Sequence, residues 1–381
     1  MDPFRYNTQT CVYFGRNSVR DNADQLKELG SKAVVVTTKF VGNAPNLALS
    51  DMEEVLKELG TDYRVLDNVE TDPPVETIVS LYEELDGFWP DYVIGVGGGA
   101  ALDVAKALAQ FINDGAGEPY NLFFWPGHLL NNYCNMCDIP VVAVPTTAGT
   151  GSEVTGGAVL TREDKDTKES MNMWLYPKIA FVDPRYLETS PQFLLDTGAI
   201  DALAHGVEGC LHKDANVMNR AISFAAFNLF AGFKDALLEG DLTESQFDDL
   251  SAHSFMQGVS FMQSCTTIPH GMGYPLSQHK GVPHGLACGI FLGEYLKAFR
   301  DQSLILPIVR ACGFADSSEF ADYVRKLTNR DVDITVSDDE IEYWTDQFME
   351  IQKWRLEANS EILSREDINR LYRTALSKYI K

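Results

Sequence analysis

Basic residues are scarce in this chain: 31 Lys and Arg face 55 Asp and Glu, a formal net charge of -24 at pH 7. A nucleic-acid or anionic-membrane partner needs a basic face, and that balance argues against both. Long apolar runs are missing as well. None approaches the ~20 residues of a membrane span, and no charged n-region with an apolar h-region opens the sequence, so a cytoplasmic location is expected. A disulfide framework is absent too, because the seven cysteines are odd in number and scattered over 381 residues. The one CxxC, Cys134 to Cys137, has no second pair to complete a zinc site and reads as plain reduced thiols. There is no internal repeat, low-complexity tract or long linker.

What is present is an ordinary globular composition, 45% hydrophobic and 23% charged, on a chain long enough for two domains. Five short runs rich in Val and Ile read as strands: VYFG (12–15), KAVVVTT (32–38), DYRVL (62–66), DYVIGVG (91–97) and IPVVAVP (139–145). Between them, stretches such as DMEEVLKELG and VETIVSLYEEL place apolar residues three and four apart. That alternation predicts a parallel sheet covered on both faces. From about Thr189 the texture changes to long helical runs and strand signals nearly vanish. The expected architecture is an α/β domain over 1–187 and an all-helical domain over 188–381, packed closely with a cleft between them.

Gly95, Gly97, Gly98 and Gly99 stand between a strand and a helix in VIGVGGGAALDVAKALA. Glycines there let the backbone approach a pyrophosphate, and the helix N-terminus offers free N–H groups and the positive end of its dipole. Gly95, Gly97 and Ala100 satisfy the GxGxxG/A spacing, yet the motif falls on the fourth strand and no acid follows at the end of the next one. A glycine turn needed only for strand–helix packing has the same sequence. A second loop, PTTAGTGSEVT (145–155), is dense in hydroxyls and amides that suit phosphate and ribose oxygens, although a plain Ser/Thr turn shares its composition. Two such loops at the carboxyl ends of parallel strands describe a dinucleotide crevice better than either alone.

In DTGAIDALAHGVEG, Asp201 and His205 lie four apart, which on a helix puts both on one face. Alone, such a pair is commonly a solvated face. HGMGYPLSQHKGVPHG adds His270 and His284. Three imidazoles and one carboxylate make a donor set suited to Fe(II) or Zn(II), with room for one substrate oxygen. Four polar residues in otherwise apolar helices are hard to explain as packing. His128, His212, His253 and His279 lack such partners and read as surface or internally satisfied residues.

Taken in order, GGGAALDVAK, PTTAGTGSEVT, DTGAIDALAHGVEG and HGMGYPLSQHKGVPHG resemble the motifs of the iron-containing (group III) alcohol dehydrogenases, whose fold is dehydroquinate synthase-like. The resemblance spans essentially the whole chain. It implies that Asp201, His205, His270 and His284 hold a metal, Fe2+ with Zn2+ as the alternative. It implies that Gly97, Gly98, Gly99 and Asp103 lie at the pyrophosphate and nicotinamide side, and that Thr146, Thr147, Val154 and Lys168 also contact the cofactor. The implied activity is hydride transfer between a small alcohol or diol and NAD(P), with aldehyde reduction as the reverse, in a homodimer or an assembly of dimers.

Four positions depart from that family's pattern. The usual Ser after the glycines is Ala100, which removes a phosphate hydroxyl, and the usual Asn before Pro after the third strand is Asp72. The acid that follows VT in NAD-preferring members is Thr38, followed by Lys39. A carboxylate there would repel a 2′-phosphate, whereas a hydroxyl beside an ammonium would not, so NADP is expected, with NAD as the alternative. Many members also carry a second histidine one turn after the first metal ligand of the HxxxH motif. Here it is Tyr274, on the face of His270, either hydrogen-bonding the substrate oxygen or forming an aromatic wall. The competing activity on this architecture is a dehydroquinate synthase-like lyase or cyclase, which returns the hydride within one turnover. The Asp-plus-three-His set and the PTTAGTGSEVT loop favour the dehydrogenase.

Overall fold

The computed structural model describes residues 4, 6–38, 46–126, 137–165 and 167–381. Lys39, His128 and Cys134, singled out above, lie outside the described residues. The chain divides into two compact units. One comprises Thr8–Thr147 and Gly151–Thr189; the other gathers Ser190–Lys381 with Ala148–Thr150 and the N-terminal residues up to Asn7.

The first unit is built on β1 (Cys11–Phe14), β2 (Lys32–Thr38), β3 (Asp62–Val69), β4 (Tyr92–Gly97), β5 (Val141–Pro145) and β8 (Ile179–Val182). These six form one parallel sheet in the order β1-β8-β5-β4-β2-β3. Alternation along β2 shows why its apolar run is unbroken. Ala33 and Val35 pack with Met52, Val55 and Leu56 of α1 (Leu47–Leu59), while Val34 and Val36 face the opposite core. That second core holds Ile78 and Leu81 of α2 (Val75–Glu84) and Val104 and Leu108 of α3 (Gly99–Asn113). Burying each of the Val, Ile, Leu and Met side chains here contributes roughly 1.5–3 kcal/mol, and with both faces covered no polar alternation remains to be seen.

Three strands escape sequence analysis. β8 is four buried residues, IAFV, too short to show a period. β6 (Val159–Arg162) and β7 (Thr167–Ser170) form an antiparallel hairpin apart from the sheet, pairing Thr161 with Lys168. The loop before α2 is tied to this hairpin: Thr161 N–H donates to the Pro73 carbonyl at 2.9 Å and its hydroxyl to the Asp72 carbonyl at 2.8 Å.

The second unit is helical. It contains α4 (Gln192–Leu211), α5 (Val217–Glu239), α6 (Glu244–Phe261), α7 (Ile268–Lys280) and α8 (His284–Ala298), and helices over Gln302–Ala311, Ser317–Asp331, Asp338–Ile351, Lys353–Ala358 and Arg365–Ala375 follow. Every residue of α4 from Gly198 to Leu211 is buried, so α4 is the central helix, packed on α5, α6 and α8. The 23-residue α5 is long and apolar enough by composition to cross a membrane. Its Ser223, Phe227, Phe230, Phe233 and Leu237 are buried, it packs on α6, and Arg220, Asn228 and Asp235 are exposed. An amphipathic core helix accounts for that composition.

A candidate metal centre and nucleotide loops

Three helices of the second unit converge on one carboxylate. α4 presents Asp201, His205 and Glu208 at successive spacings of four and three, on one face, and all three are buried. α7 carries His270 in its first turn. Gly281, in the left-handed region at φ 66°, ends α7, and after Pro283 the next helix begins at His284 with Cys288 one turn on. Glycine is required at 285: a Cβ there would lie 2.1 Å from the Thr197 carbonyl oxygen and 2.8 Å from Asp201 Cβ, so no other residue lets α8 approach α4 this closely.

Asp201 Oδ1 is the hub. It lies 3.5 Å from His270 Nε2, 3.8 Å from His284 Nε2 and 4.0 Å from His205 Nε2. Cys288 Sγ is 3.8 Å from His284 Nε2, and the donor atoms of Asp201, His270, His284 and Cys288 all lie within 4.8 Å of one another. Donors around a small divalent ion at ~2.0–2.3 Å stand roughly 3–4 Å apart, so these residues fit one. Asp201 Oδ1 and His270 Nε2 are buried without a hydrogen-bond partner. Leaving such groups unsatisfied costs about 1–3 kcal/mol each, and a cation between them satisfies both.

The imidazoles are held in the orientation this requires. His205 Nδ1 donates to the Gly149 carbonyl at 3.2 Å, and His270 Nδ1 donates to Glu208 Oε1 at 2.5 Å. Both rings therefore turn Nε2 towards Asp201. Glu208 Oε2 also accepts the Thr267 N–H at 2.6 Å. Burial works against ionisation of Asp201 and Glu208, but neighbouring imidazoles outweigh it and hold both carboxyls below their ordinary values. Burial likewise opposes the Cys288 thiolate, yet His270 and His284 pull its pKa down. His205 is pushed down to about 4 by burial and by the adjacent imidazoles, against the pull of Asp201. For His270, burial is overcome by Cys288, Glu208 and Asp201, and its pKa rises. With the His270 pKa raised, a metal ion that takes its Nε2 must displace a proton, so ion binding at this cluster is coupled to proton release.

Tyr274 lies one turn after His270, with its ring stacked on His284 at 5.9 Å between centroids. Its hydroxyl accepts from Arg355 Nη2 at 2.8 Å. The buried Arg355 also donates to Gln352 Oε1 at 2.9 Å and to Thr266 Oγ1.

In the first unit, the carboxyl ends of neighbouring β2, β4 and β5 gather Thr38, Gly97 and Thr146–Thr147. Gly97 has φ 152°, its carbonyl accepts the Thr146 N–H at 2.9 Å, and Gly98 lies against Thr147. With Gly98 as N-cap and Gly99 as first residue, α3 opens with no side-chain cap, leaving its first N–H groups to other acceptors. Asp103 is already engaged: Oδ1 accepts from Ser152 at 2.5 Å and Oδ2 from the Val159 N–H at 2.8 Å, fixing the short turn that buries Val154. Lys168 Nζ, almost wholly buried, lies 2.7 Å from Asp72 Oδ1. Two sequence positions read independently are therefore one ion pair.

Sequence reasoning missed Glu208, Cys288, Arg355 and the buried pair Lys106 and Glu153. Lys106 donates to Ser152 Oγ at 2.7 Å and to the Gly157 carbonyl at 2.8 Å, and burial pushes Glu153 up to about 7. Cys288 stands four residues after His284, the spacing that singled out His205, and Glu208 stands three after His205, also on one helix face. Arg355 carries no local signal. Of the remaining described histidines, His253 is buried, with Nδ1 donating to the Ala226 carbonyl at 2.8 Å; His212 Nδ1 accepts the Asp214 N–H at 3.0 Å; His279 is exposed.

The chain is similar to known proteins along nearly its full length. Residues 9–184 match the family model described as iron-containing alcohol dehydrogenase, and residues 196–376 match the C-terminal model of the Fe-containing alcohol dehydrogenase family. It is 27% identical to lactaldehyde reductase of Escherichia coli K12 over 290 residues, covering 75% of this chain and 73% of that one. Identity to 1,3-propanediol dehydrogenase of Citrobacter freundii is 30% over 292 residues, with 76% and 73% covered. The crystal structure of an iron-containing alcohol dehydrogenase from Thermotoga maritima superposes with a TM-score of 0.86 at 26% identity, covering 98% of this chain and 100% of that one.

Proposed function

The chain belongs to the iron-containing alcohol dehydrogenase family, NAD(P)-dependent oxidoreductases acting on CH–OH groups, and on that premise we propose that it interconverts a small alcohol or diol and its carbonyl compound using NADP(H) and one Fe(II) or Zn(II) ion. The observation that carries this is the pair of buried, unpartnered donor atoms, Asp201 Oδ1 and His270 Nε2, inside a ring of further imidazoles. Asp201, His205, His270 and His284 hold the ion, which when bound supplies a Lewis acid that polarises the substrate oxygen. The Glu208 carboxylate and the Gly149 carbonyl keep His270 and His205 presenting Nε2. Tyr274, braced by Arg355, walls the site beside His284.

On the nucleotide side, the amides of Gly97, Gly98 and Gly99 at the start of α3 bind the pyrophosphate, with Thr146 and Thr147 beside them. Thr38, at the end of β2, brings no charge to repel a 2′-phosphate, which supports NADP over NAD. Asp103 fixes the turn that carries Val154 after these loops, and Lys168, paired with Asp72, is the further cofactor contact in this reading. Relatives named for lactaldehyde, 1-propanol and 1,3-propanediol are in line with a short substrate, beside one named for long-chain alcohols. A homodimer in the cytoplasm completes the proposal.

The test is a panel of short aldehydes offered to metal-stripped protein reloaded with Fe(II) or Zn(II), with NADPH and NADH compared. Net NADPH oxidation that depends on the metal is expected. No net turnover of either cofactor, or undiminished turnover in Asp201→Ala, overturns it.

A further inference from the structure

The four-ligand site makes no use of Cys288, yet Cys288 belongs to a group of four donors whose ligand atoms all lie within 4.8 Å of one another. We propose that Cys288 is itself a metal ligand, its sulfur entering the coordination shell with Asp201, His270 and His284 and making this centre a better site for Zn(II) than for Fe(II). The proposal rests on the metal centre described under Proposed function.

Three observations carry it. Cys288 is fully buried, one turn after His284, so α8 delivers an imidazole and a sulfur to the same face. Its Sγ lies 3.8 Å from His284 Nε2, and each donor atom of the group is within 4.8 Å of every other. The group also contains the two unpartnered buried atoms, Asp201 Oδ1 and His270 Nε2, so what satisfies them lies within reach of the sulfur. His205 stands outside this group, although its Nε2 is 4.0 Å from Asp201 Oδ1. Close approach of the helices maintains the arrangement: a Cβ on Gly273 of α7 would lie 3.0 Å from the Cys288 backbone nitrogen.

Ligation breaks the S–H bond and forms a sulfur–metal bond; the proton leaves to solvent and no electron is transferred. A thiolate is a soft donor, and in a mixed N/O/S set it favours Zn(II) over Fe(II).

Co(II), added to the metal-stripped full-length protein, reads both the site and the sulfur. One ion per chain is expected, giving visible d–d bands and a thiolate-to-cobalt charge-transfer band in the near ultraviolet. In Cys288→Ser, with Cys288→Ala as a second variant and circular dichroism confirming the fold, the charge-transfer band disappears while the d–d bands persist. Zn(II) affinity falls on the order of tenfold or more, the scale on which even ligand-orienting groups act, and Fe(II) affinity falls less. Co(II) bound without the charge-transfer band, or a band that survives in Cys288→Ser, overturns the role of Cys288 and leaves the metal centre standing. Undiminished Co(II) binding in both Asp201→Ala and His270→Ala overturns the centre itself.

Discussion

Glu208 Oε1 accepts the Nδ1 proton of His270 at 2.5 Å, and both side chains are buried. The carboxylate fixes the tautomer and makes Nε2 the more basic nitrogen towards Asp201. Glu208→Gln keeps the shape and removes the charge. Metal affinity is expected to fall about 10–100-fold, measured by competition with a chromophoric Zn(II) chelator. Unchanged affinity would show that His270 is oriented by packing alone.

Tyr274 is the hydroxyl acceptor for a buried guanidinium. Tyr274→Phe leaves Arg355 short of that acceptor, at a cost of about 1.5–3 kcal/mol, the range for hydrogen bonds to charged groups. The urea midpoint is expected to drop accordingly while kcat changes less than about tenfold, ~1.4 kcal/mol. A larger loss of kcat with an unmoved midpoint would place the phenol on the substrate instead.

Thr38 ends β2 beside Gly97, on the strand neighbouring the glycine turn. Introducing a carboxylate with Thr38→Asp should repel a 2′-phosphate. The ratio of kcat/KM for NADPH to that for NADH is expected to fall by about tenfold or more, ~1.4 kcal/mol per factor of ten. Steady-state kinetics with both cofactors checks it, and an unchanged ratio would remove Thr38 from the determinants of cofactor choice.

His253 connects burial to acid stability. Burial among the rings of Phe230 and Phe233 pushes its pKa down to about 4, whereas the unfolded chain restores about 6.5. With the folded value depressed, the unfolded state binds more protons between those limits. The contribution is therefore whole above about pH 6.5 and is lost as pH falls towards 4, up to on the order of 3 kcal/mol. His253→Gln, which can still donate to the Ala226 carbonyl, should flatten the urea midpoint between pH 7 and pH 4 relative to the wild type. Parallel slopes would falsify the assignment.

The strands β2, β4 and β5 were legible because buried parallel strands are unbroken apolar runs, and the helices because apolar residues recur at three and four. β8 was not, since four residues carry no period; nor was the polar hairpin of β6 and β7. At the candidate site, Asp201 and His205 were legible from spacing within one helix. His270 and His284 needed the motif around them, and Glu208 and Cys288 had the right spacing but residue types that are as often structural. Arg355, 81 residues from Tyr274, had no signal.

By itself the sequence determined the α/β and helical halves, the glycine turn and the facing of Asp201 with His205, because hydrogen-bonded backbone periodicity is local and is written in neighbouring residues. The tertiary structure alone decided that α7 and α8 bring His270, His284 and Cys288 to Asp201, and that Asp72 pairs with Lys168. Those distances depend on how closely helices and hairpins pack, as where Gly285 lets α8 lie against α4, and packing is a property of surfaces that meet from distant parts of the chain.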